Sequence, residues 1–459
     1  MTNSLAHYIS SNTVEYNTIF KRYDIRGKYP DEISPEVAKK IAKIYFNFYH
    51  LSKIIIGHDS IDGANEIYSE ISNELAGYGV NVTQIGMVSS PRLYYASAKL
   101  NIKYGIMITA SHLGAGFTGI KLINDGVPPP EEDLVKLSQI YESKRDISLT
   151  SKKGGINFYD INSPYASDVV AFIKSSLTKY KIVIDASNGP NAPVIDKIFS
   201  EINIPYTAIN MEVKGSGLSH PTNPKIPENR VQLVNAVKES KADLGIIWDG
   251  DGDRAYFVDS KGKVIAPEFT ASLIAADIKN KLGYKTITSD IRASSAIEQE
   301  CSKDNIEVVR LKAWHVPIKE EMEKDSKIGF GYEVSGHYVF SDFYKIDDGL
   351  LASLVFLRAL NNNEKSLSEL LKDFRNTYYI LEEINFESEK SEEEVVDLLK
   401  NTYKDGKVIL IDGVTVEYSD WRFNLRSSRT EPILRLNISG ISQKTVDENL
   451  SKIKSIIKS

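Results

Sequence analysis

Residues 249–254 read DGDGDR and follow directly on the apolar run 243–248. Asp249, Asp251 and Asp253 stand at alternate positions between flexible glycines, so their oxygens can turn onto one hard cation; magnesium is favoured where phosphate is also bound. An EF-hand loop does not fit, because Arg254 and Ser260 stand where that loop needs glycine and glutamate. The plainer reading is an acidic hairpin turn. A second segment, TASHLGAG at 109–116, ends a strand-like run at 104–109, where open α/β sheets tend to hold ligands, and makes Ser111 a candidate nucleophile. A serine-hydrolase elbow would need glycines where Thr109 and Leu113 stand. Taken alone, the segment fits equally well as Ser111 and His112 closing a loop.

Two further segments carry polar groups in useful order. In GYEVSGHY, 331–338, Glu333, Ser335 and His337 alternate; read as extended chain they share one face and offer a carboxylate, a hydroxyl and an imidazole to sugar hydroxyls. A solvated strand edge would look the same. In RSSRTEP, 426–432, between strand-like runs at 421–425 and 433–438, Arg426 offers a planar fork to phosphate, Ser428 and Thr430 add donors, and Arg429 adds charge. Arginines beside a surface turn are also common without any ligand.

The segments that must position these groups alternate between β-branched apolar runs and amphipathic helical stretches from about residue 50 to 360, the pattern of βαβ units and largely parallel sheets. Strands are expected at 53–57, 80–85, 104–109, 181–186, 204–209 and 243–248, and helices at 65–75, 194–200 and 229–239. Residues 120–133 and 256–269 each read as strand, glycine turn, strand and proline-acidic helix start, a weak internal repeat lying just after a candidate site loop. NNNEKS at 361–366 reads as a connector to a last segment of strand, helix, hairpin, strand and helix, a smaller α+β domain.

Bulk properties bound the function. A chain of 459 residues exceeds what one core serves, so three or four domains and a cleft between them are expected. A net charge of −6 argues against a nucleic-acid coat and leaves room for a local pocket that takes a small anion. Cys301 is the only cysteine, which excludes an internal disulfide and a thiolate metal cluster. The first residues lack a signal-peptide pattern, and no apolar run nears the roughly twenty residues a membrane span needs, so a cytoplasmic protein with no membrane or nucleic-acid partner is expected.

Together, and in this order, the four segments resemble the α-D-phosphohexomutase superfamily, most closely its phosphomannomutase/phosphoglucomutase members. The resemblance runs from YDIRG at 23–27 through GHDS at 57–60, the serine loop, NG at 188–189, ADLGIIWDGDGDR at 242–254, His315, the 333–337 loop and DDG at 347–349 to the 426–432 loop. It implies three similar mixed α/β domains plus a smaller C-terminal α+β domain around a central cleft, with the last domain a mobile lid. The corresponding boundaries are 1–150, 151–254, 255–365 and 366–459. By position, Ser111 would be the phosphoserine, which with Asp249, Asp251 and Asp253 would hold Mg2+. Lys121 and His315 match positions linked to proton transfer, Arg26 and Arg254 match basic residues near the phosphoserine, and His112 joins this catalytic set. Tyr23, Glu333, Ser335, His337, Arg426, Ser428, Arg429 and Thr430 would bind substrate. Departures from the family pattern are Leu113 and Gly114 for asparagine and proline, Ile61 for arginine, Trp314 for glycine, and Arg429 for glycine or asparagine.

The implied activity is interconversion of hexose 1-phosphate and hexose 6-phosphate, of glucose, mannose or both, through a phosphoserine enzyme and a hexose 1,6-bisphosphate. Its partners would be hexose phosphates, and the protein itself either a monomer or a homodimer. A phosphoglucosamine mutase, a metal-dependent sugar phosphatase and a non-catalytic sugar-phosphate sensor are the rival readings.

Overall fold

The structure is a computed structural model that describes residues 19–21, 24–143, 153–388, 390–428 and 433–458. Four sheets follow one another along the chain. The first unit contains β1 (Ile25–Lys28), α1 (Pro35–Tyr49), β2 (Lys53–His58), α2 (Ala64–Gly77), β3 (Asn81–Met87), α3 (Ser90–Leu100), β4 (Tyr104–Ile108), β5 (Phe117–Asn124), α4 (Glu131–Glu142) and β6 (Ile156–Phe158). Its strand order is β1-β5-β4-β2-β3-β6, with β2 parallel to β3 and β4, and β5 antiparallel to β4. The second contains α5 (Asn162–Ile173), β7 (Ile182–Asp185), α6 (Ala192–Glu201), β8 (Tyr206–Ile209), α7 (Val231–Ser240), β9 (Leu244–Trp248) and β10 (Ala255–Asp259), in strand order β10-β9-β7-β8.

The third unit contains α8 (Pro267–Leu282), β11 (Thr286–Asp290), α9 (Ala296–Lys303), β12 (Glu307–Leu311), α10 (His315–Lys324), β13 (Ile328–Tyr332), β14 (Tyr338–Phe340), β15 (Ile346–Asp347), α11 (Gly349–Asn361) and α12 (Leu367–Thr377). The last contains β16 (Tyr379–Ile380), β17 (Ile384–Phe386), α13 (Glu392–Thr402), β18 (Lys407–Ile409), β19 (Val414–Glu417), β20 (Trp421–Ser427), β21 (Leu434–Gly440) and α14 (Gln443–Lys458), built on an antiparallel sheet.

Local chemistry explains the elements. Strands β7 and β9 are buried along their length and apolar except for Asp185 at the end of β7, as parallel strands covered on both faces are. Helix α11 is almost wholly buried and correspondingly almost wholly apolar. Helix starts are fixed by side-chain oxygens that take otherwise orphaned amides: Ser34 for α1, Asp348 for α11, and Ser366 and Ser391 in full capping boxes.

Three sequence boundaries shift. Strand β6 pairs with β3 in the first sheet, so residues assigned to the second domain complete the first. The break at 254/255 falls inside the β9–β10 hairpin, because β10 pairs along all of β9. The NNNEKS connector leads into α12, whose Leu371 and Phe374 lie in the core of the third unit; the passage to the last sheet comes later, at Tyr378. One continuous apolar core runs through the first three units, from Ile55 to Tyr378; the first unit encloses a second core of its own, from Ile19 to Leu137, and the last sheet and its helices enclose another that is not shared. Among the described residues, no helix is long and apolar enough to cross a membrane.

Arg92 joins the first two units. It is fully buried and donates through Nε to Ser89 Oγ (3.1 Å), through Nη1 to Asn162 Oδ1 (2.6 Å) and through Nη2 to the Pro190 carbonyl. Burial brings its pKa down to about 10. Arg92→Leu is expected to lower stability by about 3 kcal/mol, since it strands the buried Ser89 and Pro190 acceptors and the half-buried Asn162 oxygen, and urea unfolding measures this.

Candidate active site

Ser111 follows β4 in the left-handed backbone region, at φ 54°. Its amide donates to Thr109 Oγ1 at 2.8 Å and its Oγ lies 3.2 Å from His112 Nδ1. The loop carrying it lies directly on the acidic loop: a Cβ at Gly250 would stand 2.3 Å from the Ser111 carbonyl oxygen, so only glycine permits this approach. Thr222 Oγ1 reaches the same carbonyl at 3.5 Å and also adjoins Gly250, where it would stand 3.0 Å from an added Cβ.

Asp249, Asp251 and Asp253 are buried, and one carboxylate oxygen from each lies within 4.8 Å of the others. Each also keeps a buried oxygen with no hydrogen-bond partner: Asp249 Oδ2, Asp251 Oδ1 and Asp253 Oδ1. Three converging carboxylates, each with an oxygen that makes no hydrogen bond and only a long ion pair to Arg254 Nε for two of them, at 3.5 and 3.8 Å, fit a small divalent cation. Burial, then the neighbouring Asp253 and Asp251, push the Asp249 pKa well above the usual carboxylate range. Lys121 on β5 donates to Asp251 Oδ2 at 2.5 Å and Asp253 Oδ2 at 3.2 Å. Burial opposes its charge, yet these carboxylates raise its pKa well above that of an ordinary lysine. Ser90, at the start of α3, donates its hydroxyl to Asp251 Oδ2 and its amide to the Asp251 carbonyl at 3.0 Å.

Arg254 ends the acidic loop, with Nε 3.5 Å from Asp249 Oδ2. Arg26, paired with Asp24, is close enough that its charge and that of Arg254 are felt at His112. The Arg254 charge first, then burial, then Arg26 hold the His112 pKa well below the usual histidine value.

The 333–337 segment differs from its expected form. It is the turn between β13 and β14, closed by Glu333 N–H to the His337 carbonyl (2.9 Å) and Gly336 N–H to the Glu333 carbonyl (3.0 Å), with Gly336 at φ 94°. Alternate side chains therefore do not share a face. Glu333 accepts from Arg292 Nη2 at 2.8 Å, and Ser335 lines a groove toward the last unit. His337 turns to the acidic loop instead: its Nε2 accepts from Arg254 Nε at 3.0 Å, which leaves Nδ1 to donate toward Asp347 Oδ2 at 3.1 Å. His315, at the start of α10, stacks on His337 with centroids 5.2 Å apart. Burial takes its pKa down to about 3. Lys319, one turn further on, pairs with Asp347 Oδ1 at 2.7 Å.

Arg426 is buried in the last turn of β20, and Ser428 N–H donates to the Ile433 carbonyl at 2.7 Å. Tyr23, Arg429 and Thr430 lie outside the described residues. The site thus brings Ser111, His112, Lys121, the three aspartates, Arg254, His315 and His337 together. Glu333 and Ser335 stand on the far side of their turn, and Arg426 and Ser428 on the last unit. Sequence reading left Ser90, Thr222, Lys319 and Arg292 without a role and gave Asp347 only as part of DDG. The four-residue spacing of His315 and Lys319 on one helix face was available as a signal; the others meet the site only through tertiary contacts.

The segment between β8 and α7 carries Thr222 to the serine loop and Lys225 to Glu383 of the last unit, and His220 anchors it. His220 Nε2 lies 3.0 Å from Asp185 Oδ2 and Nδ1 lies 2.8 Å from the Pro221 carbonyl. Both partners accept, so both ring nitrogens must carry hydrogen. Burial lowers the His220 pKa, but Asp185 outweighs it and the net value is raised. A raised folded-state pKa stabilises below the unfolded value of 6.5 and loses that contribution as pH climbs through the folded value. The Tm advantage of the native chain over His220→Gln is therefore expected to be worth about 1 kcal/mol below pH 6.5 and to vanish at higher pH. Thermal melts across pH check this.

Three family models match this chain: phosphoglucomutase/phosphomannomutase alpha/beta/alpha domain I over residues 17–148, domain II over 163–262 and domain III over 266–378. A phosphomannomutase of Vibrio cholerae is 32% identical over 435 residues, covering 92% of this chain and 94% of that protein. A phosphomannomutase of Escherichia coli is 31% identical over 432 residues, with coverage of 92% and 94%. The crystal structure of a phosphoglucomutase/phosphomannomutase family protein from Burkholderia thailandensis has the same fold, with a TM-score of 0.85 at 25% identity over 95% of this chain and 96% of that one. The chain belongs to the phosphoglucomutase/phosphomannomutase family. Its activity is that of a phosphohexomutase, an intramolecular phosphotransferase.

Proposed function

We propose that Ser111 carries the phosphoryl group and that the substrates are the 1- and 6-phosphates of glucose and mannose. The observation that carries this reading is the stacking of the serine loop on the acidic loop across Gly250, which brings a hydroxyl-bearing turn onto three underused carboxylates. Phosphoryl transfer asks mainly for alignment and charge stabilisation, and cations surround this point. Mg2+, held by Asp249, Asp251 and Asp253 and completed by the Ser111 phosphate, would neutralise charge on the transferring group.

Phosphoserine 111 donates its phosphoryl group to the free hydroxyl of a hexose 1-phosphate, the P–O bond to serine breaking as the bond to the sugar oxygen forms. The resulting 1,6-bisphosphate turns over and returns its other phosphate to Ser111, leaving a hexose 6-phosphate. Lys121 keeps its proton against Asp251 and Asp253 and so serves as a fixed charge and donor. Burial keeps His315 neutral, which leaves a ring nitrogen open to the proton of the sugar hydroxyl. Glu333 and Ser335 read O3 and O4, which exchange places approximately when the sugar turns over; Arg426, Ser428, Thr430 and Arg429 hold the phosphate that is not reacting. Such a site is indifferent to configuration at O2.

A coupled assay on glucose 1-phosphate, mannose 1-phosphate and glucosamine 1-phosphate is expected to give kcat/KM values for the first two within about tenfold of each other. A far larger preference rejects dual specificity, and strong glucosamine turnover moves the assignment to the amino sugar. Stoichiometric release of inorganic phosphate would mark a phosphatase, and absence of phosphoryl exchange a sensor.

A further inference from the structure

Trp314 holds φ 126° and ψ 149°, a backbone region almost reserved for glycine because it drives a Cβ against neighbouring backbone. A bulky residue stays there only where its surroundings hold it, and contacts on both sides do so. After it, the indole meets the His315 imidazole edge-on, with centroids 5.4 Å apart and planes at 80°, while His337 covers that imidazole at 14°. His315 Nδ1 has no hydrogen-bond partner and stands 3.5 Å from Asp347 Oδ2, so the flanking rings contribute to the aim of the imidazole. Before it, the Ala313 amide donates to Asp412 Oδ2 at 3.2 Å. Asp412 belongs to the last unit, in the turn between β18 and β19, where Asn424 Nδ2 fixes its carbonyl at 2.9 Å.

We propose that Trp314 is a positioning residue that ties the aim of His315 to docking of the C-terminal unit. With Asp412 seated on residue 313, the chain is held in the glycine-like conformation and the indole stands against the imidazole. With Asp412 withdrawn, residue 314 relaxes toward negative φ and the imidazole loses that wall. Packing alone would not need these angles, since an indole can fill a gap from an ordinary backbone. A proton acceptor that is aimed only in the docked state cannot take the proton of a water attacking the phosphoserine while the cleft is open, so the phosphoryl group is kept for the sugar. This inference rests on the proposed role of His315.

Trp314→Gly, which fits the angles and lacks the ring, is expected to raise Tm, lower kcat about ten- to a hundredfold and leave KM within about twofold. Trp314→Phe restores most of kcat at the native Tm. Asp412→Ala, which removes the acceptor for the Ala313 amide, lowers kcat in the native background and has no further effect beside Trp314→Gly. The His315 ring resonances of histidine-labelled protein shift and broaden in the glycine variant and recover in the phenylalanine one. Native kcat in Trp314→Gly, or equal impairment in the glycine and phenylalanine variants, overturns the proposal. If the native protein shows no mutase turnover, the His315 role falls separately; unchanged His315 resonances in the glycine variant then reject the positioning claim by themselves.

Discussion

Ser111→Ala is expected to lower kcat by about 10,000-fold or more, with Tm within a degree or two of the native value. The size of the loss follows from the role proposed for the hydroxyl: if it carries the phosphoryl group, no covalent phosphoenzyme forms without it, and the remaining charges can only orient a sugar phosphate. The small structural effect follows from the loop. The Ser111 amide bond to Thr109, the fit of its carbonyl against Gly250 and the contact from Thr222 all use backbone atoms and survive the substitution. Intact-mass analysis after incubation with hexose 1,6-bisphosphate separates the steps, since the native chain should gain one phosphoryl group and the variant none. A variant that still takes up phosphate on serine would move the nucleophile elsewhere.

The second large effect concerns the acidic loop. Adding magnesium to the metal-free protein is expected to raise its stability by about 2.7 kcal/mol at a concentration one hundred times Kd, and Asp249→Asn should abolish that gain while reducing kcat/KM by about a thousandfold or more. The asparagine keeps the Oδ1 acceptor for the Arg254 amide at 3.2 Å and puts a neutral group where burial and two neighbouring carboxylates already disfavour the charge, so the metal-free variant should fold at least as well as the native chain. Calorimetry with and without the ion gives both quantities. An undiminished magnesium-dependent rise in the variant would exclude Asp249 as a ligand.

Much of this site was legible along the chain because its loops follow buried apolar strands: β4 delivers Ser111 and β9 delivers Asp249, and each strand announces itself by a β-branched run ending in small and polar residues. What stayed hidden is what local pattern cannot encode. Glu333, Ser335 and His337 alternate as an extended strand would, and only the hydrogen bonds around Gly336 reveal that the chain reverses there. The acidic loop reads locally as the end of a domain at residue 254, whereas it is the connection between two paired strands. Ser90, Thr222 and Asp347 reach the acidic and serine loops from distant parts of the chain, through contacts that no periodicity records.

The shared apolar core of the first three units carries a thermodynamic consequence. Architecturally there are four units, but buried apolar contact runs without a break through three of them, so none of those three can lose its packing without exposing the surface of the next. The last unit, with a separate interior, meets the rest partly through ion pairs such as Lys225 with Glu383 and Arg230 with Glu382, and through the Arg422 bond to the Ile291 carbonyl. Unfolding should accordingly proceed as two cooperative transitions rather than four. Separation of the last unit would break these polar contacts while leaving both the shared core and its own intact.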